Sequence, residues 1–399
     1  MTLFASNSAV ETADQFFVLA ERWIVAHVPG TARALVADVI SAVALLAVFA
    51  SLFAMTTVLE RKGLGRIQNR YGPNRVGPFG ILQPLADGIK SLTKEDIVPL
   101  AADRWVHYFA PLVLVVAAFS MYAVLPIGRN MVLANMDAGV LFFFAVSSVM
   151  EVSIFMAGWS SKNKYSLLGA MRAIAQMISY EVTLILAAVT VVMAAGSLST
   201  VTIVEKQAGY TGILPHWFVL TPWGFAGFVL FMIAATAEAN RSPFDLPEGE
   251  SEIIAGYFTE YSGFKFALFF LGEYIGMFAM SGLGITLFLG GWTAPLSFLT
   301  WVPSYLWFFA KLLFLIAMFI WIRGTLPRLR MDQLMNFAWK FLLPLALIDL
   351  VAAGLWRFLP NEAVRWIVCS VLVVGSYVLL GRGLARGWKL EKRVYRFAE

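Results

Sequence analysis

Runs of about twenty apolar residues, long enough to cross a hydrocarbon core, recur along this chain and decide what it can become. Nine such spans stand at 35–58, 106–127, 138–158, 168–195, 217–237, 264–290, 304–323, 341–357 and 363–381. Inside a bilayer every backbone N–H and C=O must be bonded within the protein, so each run is expected to be a helix. With 60% apolar residues, 14% charged, 33 Phe and 13 Trp, the chain carries more apolar surface than one water-soluble core can hide. The fold class is all-α and polytopic. Glu11, Asp14 and Glu21 occupy the first thirty residues without a basic start, so this segment does not read as a cleaved signal; its amphipathic stretch 14–28 is expected on the membrane surface. The one cysteine, Cys369, lies inside an apolar run, which excludes a thiolate-held iron–sulfur cluster or structural zinc built within the chain. Gly381, Gly383 and Gly387 miss the dinucleotide-loop spacing and follow no strand.

Basic residues sort the loops by side. Loop 60–104 holds eight of the thirty Lys and Arg, 159–172 three, 238–265 two, 323–340 four and the tail from 382 six, which is 23 in all. The other side holds Arg22, Arg33, Arg129, Lys206, Arg357 and Arg365, and Lys311 lies inside a span. Retention of positive charge in the cytoplasm then sets the N-terminus outside and the C-terminus inside, which an odd number of spans requires. The net charge of +5 is mostly this orientation signal, and nothing points to nucleic acid.

One cytoplasmic loop departs from that pattern. In "AEANRSPFDLPEGESE", residues 237–252, Glu238, Asp245, Glu248, Glu250 and Glu252 surround a single cation, Arg241. Pro243 and Pro247 keep the middle extended, and Pro247 suits the first turn of a helix whose positive end would meet the three following glutamates. The apolar "IIAGYFTEYSGFKF" comes next, so these acids are expected to be folded against protein and to titrate as a coupled group. Further charges stand inside spans: Asp38, Glu151, Glu181, Glu273, Lys311 and Asp349. Each costs about 2.5–3.5 kcal/mol at a helix centre, so each is expected to face protein or water and to have a partner. Asp38 and Asp349 read as structural pairs, and Lys311 as a relay or a counter-charge. Glu151, Glu181 and Glu273 read as links in a proton path. On the fourth span Arg172, Gln176, Ser179 and Thr183 share one stripe, and Glu181 points about half a turn away.

The first cytoplasmic loop, "ERKGLGRIQNRYGPNRVGPFGILQPLADGIKSLTKED" at 60–96, is too basic and too rich in Gly and Pro to cross a bilayer. Ile81, Leu82, Leu85, Ile89 and Leu92 mark one helical face, so 81–95 is expected to lie in the membrane plane. Such a helix can close a hollow that admits a lipid-like molecule from the side, or it can pack on a soluble partner.

That loop, with "GWSSKNKYSLLGAMRAIAQMISYE", "AEANRSPFDLPEGESEIIAGYFTEYSGFKFALFFLGEY" and "TLPRLRMDQLMNFAWKFLLPL", resembles the H-subunit family of respiratory complex I, the proton-pumping NADH:quinone oxidoreductase, across roughly 60–345. The resemblance implies an eight-helix quinone-tunnel core at 35–358, after an N-terminal surface segment 1–34 and before an extra C-terminal span with a basic tail, 359–399. It implies a bacterial inner-membrane subunit with its N-terminus in the periplasm, at the junction of the membrane and peripheral arms. Its partners would be the peripheral quinone-site and cluster-bearing subunits, small membrane subunits and antiporter-like subunits. FMN, iron–sulfur clusters and the NADH site would reside in those partners, and the substrate reaching this chain would be a quinone, ubiquinone or menaquinone. By position in the motifs, Glu60, Arg61, Asp87, Lys90, Arg241 and Asp245 would line the quinone path. Glu248, Glu250 and Glu252, with Glu260 in support, would form an acidic funnel, and Glu238, Glu181, Glu151 and Glu273 a proton path. Alternatives are a quinone-independent relative in a membrane-bound hydrogenase, a cation/proton transporter, for which the expected internal repeat is missing from the sequence, and a plain anchor for a soluble oxidoreductase.

Overall fold

The computed structural model describes residues 13–245 and 255–387. Helix α1 (Phe16–Ala26) precedes α2 (Arg33–Ile67), α3 (Gln83–Thr93), α4 (Arg104–Ser120), α5 (Gly139–Ser160) and α6 (Lys164–Ala195). After α7 (Thr200–Gln207), a small antiparallel pair, β1 (Tyr210–Thr211) and β2 (Leu214–Pro215), leads to α8 (Pro222–Glu238). Then come α9 (Gly263–Phe288), α10 (Ser304–Thr325), α11 (Met331–Phe337), α12 (Leu343–Phe358) and α13 (Glu362–Gly387). Among the described residues, eight helical segments are long and apolar enough to span a membrane, with α11 and α12 forming one of them. The ninth expected span is α8, whose 17 residues cover about 25 Å, somewhat short of the hydrocarbon thickness. The chain is a multi-pass membrane protein.

Local chemistry places the helix ends. Asn163 caps α6 by accepting the Tyr165 N–H at 3.0 Å, and Gly196 ends the helix in the left-handed region at φ 66°. Thr221 accepts the Gly224 N–H at 3.1 Å, and Pro222 starts α8 where a missing N–H costs nothing. Pro344 cannot donate to the Lys340 carbonyl, and there the junction of α11 and α12 widens into a π-turn over 338–342. The eighth span therefore begins at Met331, ten residues before its apolar run.

The core centres on α9, buried without interruption from Gly272 to Phe288. It packs on α4 and α8, while α6 packs on α5, α8 and α12. Large apolar side chains left exposed on α2 (Leu35, Val39, Val43) and α13 (Ile367, Val371, Val374) suit a surface facing lipid. The in-plane candidate folds as α3, with Leu85, Ile89 and Leu92 exposed along one side. Helix α2 runs past its apolar run to Ile67, so Glu60 and Arg61 sit on a helix rather than in a loop. Leu, Arg, Lys and Glu in "VLERKGLGRI" favour helix strongly enough to carry it into the aqueous region.

One charge, Asp38, differs from its expected role, and another, Lys311, takes the counter-charge role, one of the two expected of it. Asp38 is exposed and joins no ion pair among the described residues, since it lies close to the start of α2, within reach of water. Lys311 is a helix cap. Its ammonium donates to the Leu289, Gly291 and Thr293 carbonyls at 2.7, 2.8 and 2.8 Å, beyond the C-terminus of α9, and stands 4.1 Å from the centre of the Trp217 ring. All three of its donors are used, and the positive charge meets the negative helix end. Replacing Lys311 with Met strands these carbonyls at about 1–3 kcal/mol for an unsatisfied buried group. Lys311→Met should therefore lower the thermal unfolding midpoint of the purified complex; an unchanged midpoint would count against the capping role.

Candidate functional site

The C-terminus of α8 turns back on itself through "ANRSPFD". Asn240 takes φ 50°, the Ser242–Pro243 peptide is cis, and Arg241 N–H bonds back to Thr236 O at 3.2 Å. Gln176 of α6 grips this turn from the side, its amide donating to Ala237 O and Phe244 O, both at 2.7 Å. Leu329 N–H adds a bond to Pro243 O at 3.1 Å, and Phe244 packs on Tyr180 with ring centres 5.3 Å apart. Asp245, half-buried, ends the described part of the loop.

Held this way, Arg241 reaches a buried ionic centre. Its guanidinium lies 3.4 Å from Glu60 Oε1 and 3.9 Å over the Tyr274 ring. Arg323, from the last turn of α10, also pairs with Glu60 Oε1, and Tyr274 O–H donates to Glu60 Oε2 at 2.6 Å. One carboxylate thus serves two arginines and a phenol. Arg241 Nε and Nη2 are buried with no hydrogen-bond acceptor among the described residues. Glu273 also lies within electrostatic range of Arg241, so two carboxylates face the two arginines, and the unused buried donors of Arg241 suit an electron-rich guest.

Glu273, the neighbour of Tyr274, accepts the Tyr257 O–H at 2.7 Å. It shares the lining of a small cavity with Glu238, Asn240, Met177 and Met150, and the cavity, about 20 Å³, is close to the size of one water. Glu238 lies within electrostatic range of Glu181 and Glu151, and those two within range of each other. Ser148 O–H donates to Glu181 Oε1 at 2.6 Å, while Glu151 Oε1 is buried without a partner among the described residues.

A second cluster sits one residue along α2 and points outward. Arg61 pairs with Asp87 of α3 at 2.6 Å, and Lys90 and Gln83 approach the same carboxylate at 3.6 and 3.1 Å. Partial burial pushes the Asp87 carboxyl up, but the hydrogen bonds from Arg61 and Gln83, then the charges of Arg61 and Lys90, outweigh this and hold it below the usual carboxylate range.

Five of the six residues expected to line a quinone path therefore fall into two groups, Glu60 with Arg241 and Arg61 with Asp87 and Lys90, while the sixth, Asp245, stands at the end of the described loop. Glu238, Glu181 and Glu151 lie within electrostatic range of one another, and Glu273 meets Glu238 at the cavity. Glu260 stands apart from these acids, accepting from the Asn163 amide at 2.6 Å beside the start of α6. Glu248, Glu250 and Glu252 lie outside the described residues, as does the helix start expected at Pro247. Sequence reasoning missed Arg323, Tyr274 and Tyr257. Arg323 sits at the end of an apolar span, where a basic residue reads as orientation, and Tyr274 follows Glu273 inside an apolar span with no local pattern to pair it with Glu60. Among the described residues, no three His, Cys, Asp or Glu side chains converge as metal ligands.

A family model described as NADH dehydrogenase matches residues 40–354. The H subunit of NADH-quinone oxidoreductase from Dehalococcoides mccartyi (strain CBDB1) is 54% identical over 293 residues, 73% of this chain and 79% of that protein. The protein of the same name from Burkholderia ambifaria (strain MC40-6) is 48% identical over 308 residues, 75% of this chain and 86% of its own length. The one from Paraburkholderia xenovorans (strain LB400) is 47% identical, also over 308 residues, again 75% of this chain and 86% of that protein.

Because the Asp87 carboxyl is held below its ordinary value of about 3.9, its tie to α2 is complete above that pH and is lost as pH falls through the lower folded value. The protection of α3 amides, taken relative to intrinsic exchange at each pH, should accordingly fall as pH drops below the ordinary aspartate range, and Asp87→Asn should remove that acid step. Hydrogen exchange read by mass spectrometry checks this; the same acid step in both proteins would show that another group holds α3.

Proposed function

The chain belongs to the NADH dehydrogenase family represented by the H subunit of NADH-quinone oxidoreductase, and from that premise we propose that it forms the quinone access path and the acidic chain coupling quinone reduction to proton translocation. It is a membrane subunit of that enzyme complex, with quinone as the complex's substrate. The observation that carries the finer reading is the adjacency of two unlike sites. A buried ionic centre, Glu60 with Arg241, Arg323 and Tyr274, stands one residue from Glu273, which shares a cavity with Glu238.

A quinone that takes two electrons needs two protons, so its reduction changes the charge of its surroundings sharply. In a site kept dry by apolar helices, that change acts on nearby groups with much less screening than water provides. Arg241, with buried donors to spare, would feel it first. Glu60 and Tyr274 answer through their shared hydrogen bond, Glu273 through its place next to Tyr274, and Glu238 across the cavity. Glu181 and Glu151 then continue the chain between α6 and α5. Glu248, Glu250 and Glu252 would form the entry to it, with Asp245 at the loop. No covalent bond to substrate is made by this chain; its part is to shape the path and to exchange protons among carboxyls. Electrons would arrive from FMN and iron–sulfur clusters in the partner subunits. An inner-membrane location with the N-terminus in the periplasm completes the reading, supported by the bias of basic residues toward one set of loops.

Glu181→Gln keeps the shape and the Ser148 contact while removing a proton site. The complex should assemble with this variant and lose most coupled quinone reduction, measured as NADH-driven proton uptake in vesicles. Normal pumping by a fully assembled Glu181→Gln complex would sink the proposed coupling role.

A further inference from the structure

The polar face of α6 continues past the acids described above. Gln176, Thr183 and Thr190 recur every seven residues, so they fall on one face, and each step advances about 10.5 Å along the axis. All three are buried. Gln176 grips the Arg241 turn beside Glu238, and Thr183 Oγ1 has no hydrogen-bond partner among the described residues. Thr190 ends beside Asp349 of α12. A Cβ added to Gly227 of α8 would lie 3.1 Å from Asp349 Oδ2 and 3.4 Å from Thr190 Oγ1, so the two oxygens converge on the space that this glycine leaves.

Asp349 is 1% exposed, and neither of its carboxyl oxygens has a hydrogen-bond partner among the described residues. It is surrounded by Gly227 of α8, Thr190 of α6, Phe288 of α9 and Cys369 of α13. The Cys369 thiol lies within electrostatic range of Asp349, and its Sγ–H donates to Ala352 O at 3.4 Å. A carboxyl that fixed helix packing as half of an ion pair would need a cation beside it, and none faces Asp349 among the described residues. Bundle-facing acids of this kind inside a membrane mark proton or ion routes. Helix α13, which lies beyond the family match, covers this position.

We propose that Asp349 is a proton-binding carboxyl, the far station of a route that starts at Glu238 and Glu181 and follows the Gln176–Thr183–Thr190 face of α6 toward the opposite side of the membrane. Thr183 and Thr190 supply hydroxyls that bridge the distance, and α13 seals the station from lipid. The inference rests on reading Glu238 and Glu181 as proton carriers.

The test uses the assembled complex in vesicles, comparing protons moved per electron pair in wild type, Asp349→Asn, Asp349→Glu, Thr183→Val and Glu181→Gln. Asp349→Asn should lower the ratio, Asp349→Glu should restore it, and Thr183→Val should lower it in the same direction. The infrared difference spectrum between oxidised and reduced complex should lose a carboxyl C=O band in Asp349→Asn, a change that a packing role would not produce. Should Asp349→Asn fail to assemble, Thr183→Val and Asp349→Glu decide the matter by the same ratio and spectrum. Wild-type ratio and spectrum at Asp349 and Thr183, alongside lost coupling in Glu181→Gln, would overturn this inference alone. Retained coupling in Glu181→Gln would overturn it together with the reading on which it rests.

Discussion

The Glu60 carboxylate is the joint on which the site end of the bundle depends. It comes from α2, yet its partners come from the turn after α8, from the end of α10 and from the middle of α9. Each ion removed from water costs several kcal/mol, and only the mutual attraction of these groups, with the phenol's hydrogen bond, offsets that. Removing one member leaves the others charged and unsatisfied, at about 3–5 kcal/mol for a broken buried pair. An arrangement this costly to disturb fixes where the Arg241 turn lies, and through Tyr274 it fixes Glu273. It also shows that α2, α8 and α10 bring their C-termini to one end, as alternation of nine spans requires of the first, fifth and seventh.

The two ends of the bundle are stabilised by different chemistry. At the site end, charges meet charges under cover of protein. At the opposite end, neutral amides and one ammonium close a helix: Gln207 donates to Thr286 O and Leu287 O at 3.0 and 3.1 Å, and Lys311 serves the carbonyls beyond them. Asp14 joins there too, accepting the Ser304 N–H at 2.6 Å where α10 begins after Pro303, a residue without a capping side chain. The N-terminal segment, outside the family match, is thus tied to the body of the protein by a helix cap supplied from a distance of 290 residues. The buried ion pairs of Glu60 lie at one end, and the caps of α9 and α10 lie at the other.

Much of this was legible in the sequence, because bilayer thickness and backbone hydrogen bonding leave few choices. The apolar runs match the described helices to within the short α8. Four loop motifs identified the family. Local pattern also placed Gln176 and Thr183 on one face of α6, since helical periodicity needs no tertiary knowledge.

What the sequence could not supply was partnership. Glu60 and Arg241 are 181 residues apart and Glu60 and Arg323 are 263 apart, so no periodicity links them. Local pattern leaves Lys311 as a relay or a counter-charge, and in the bundle three carbonyls surround it; the same pattern suits Asp349 to half of an ion pair, yet no cation pairs with it among the described residues. Sequence sets which residues must leave water, because transfer free energy belongs to each side chain and each helix. Only the packed bundle decides which of them meet, because that depends on the relative rotation and depth of helices that composition alone leaves free.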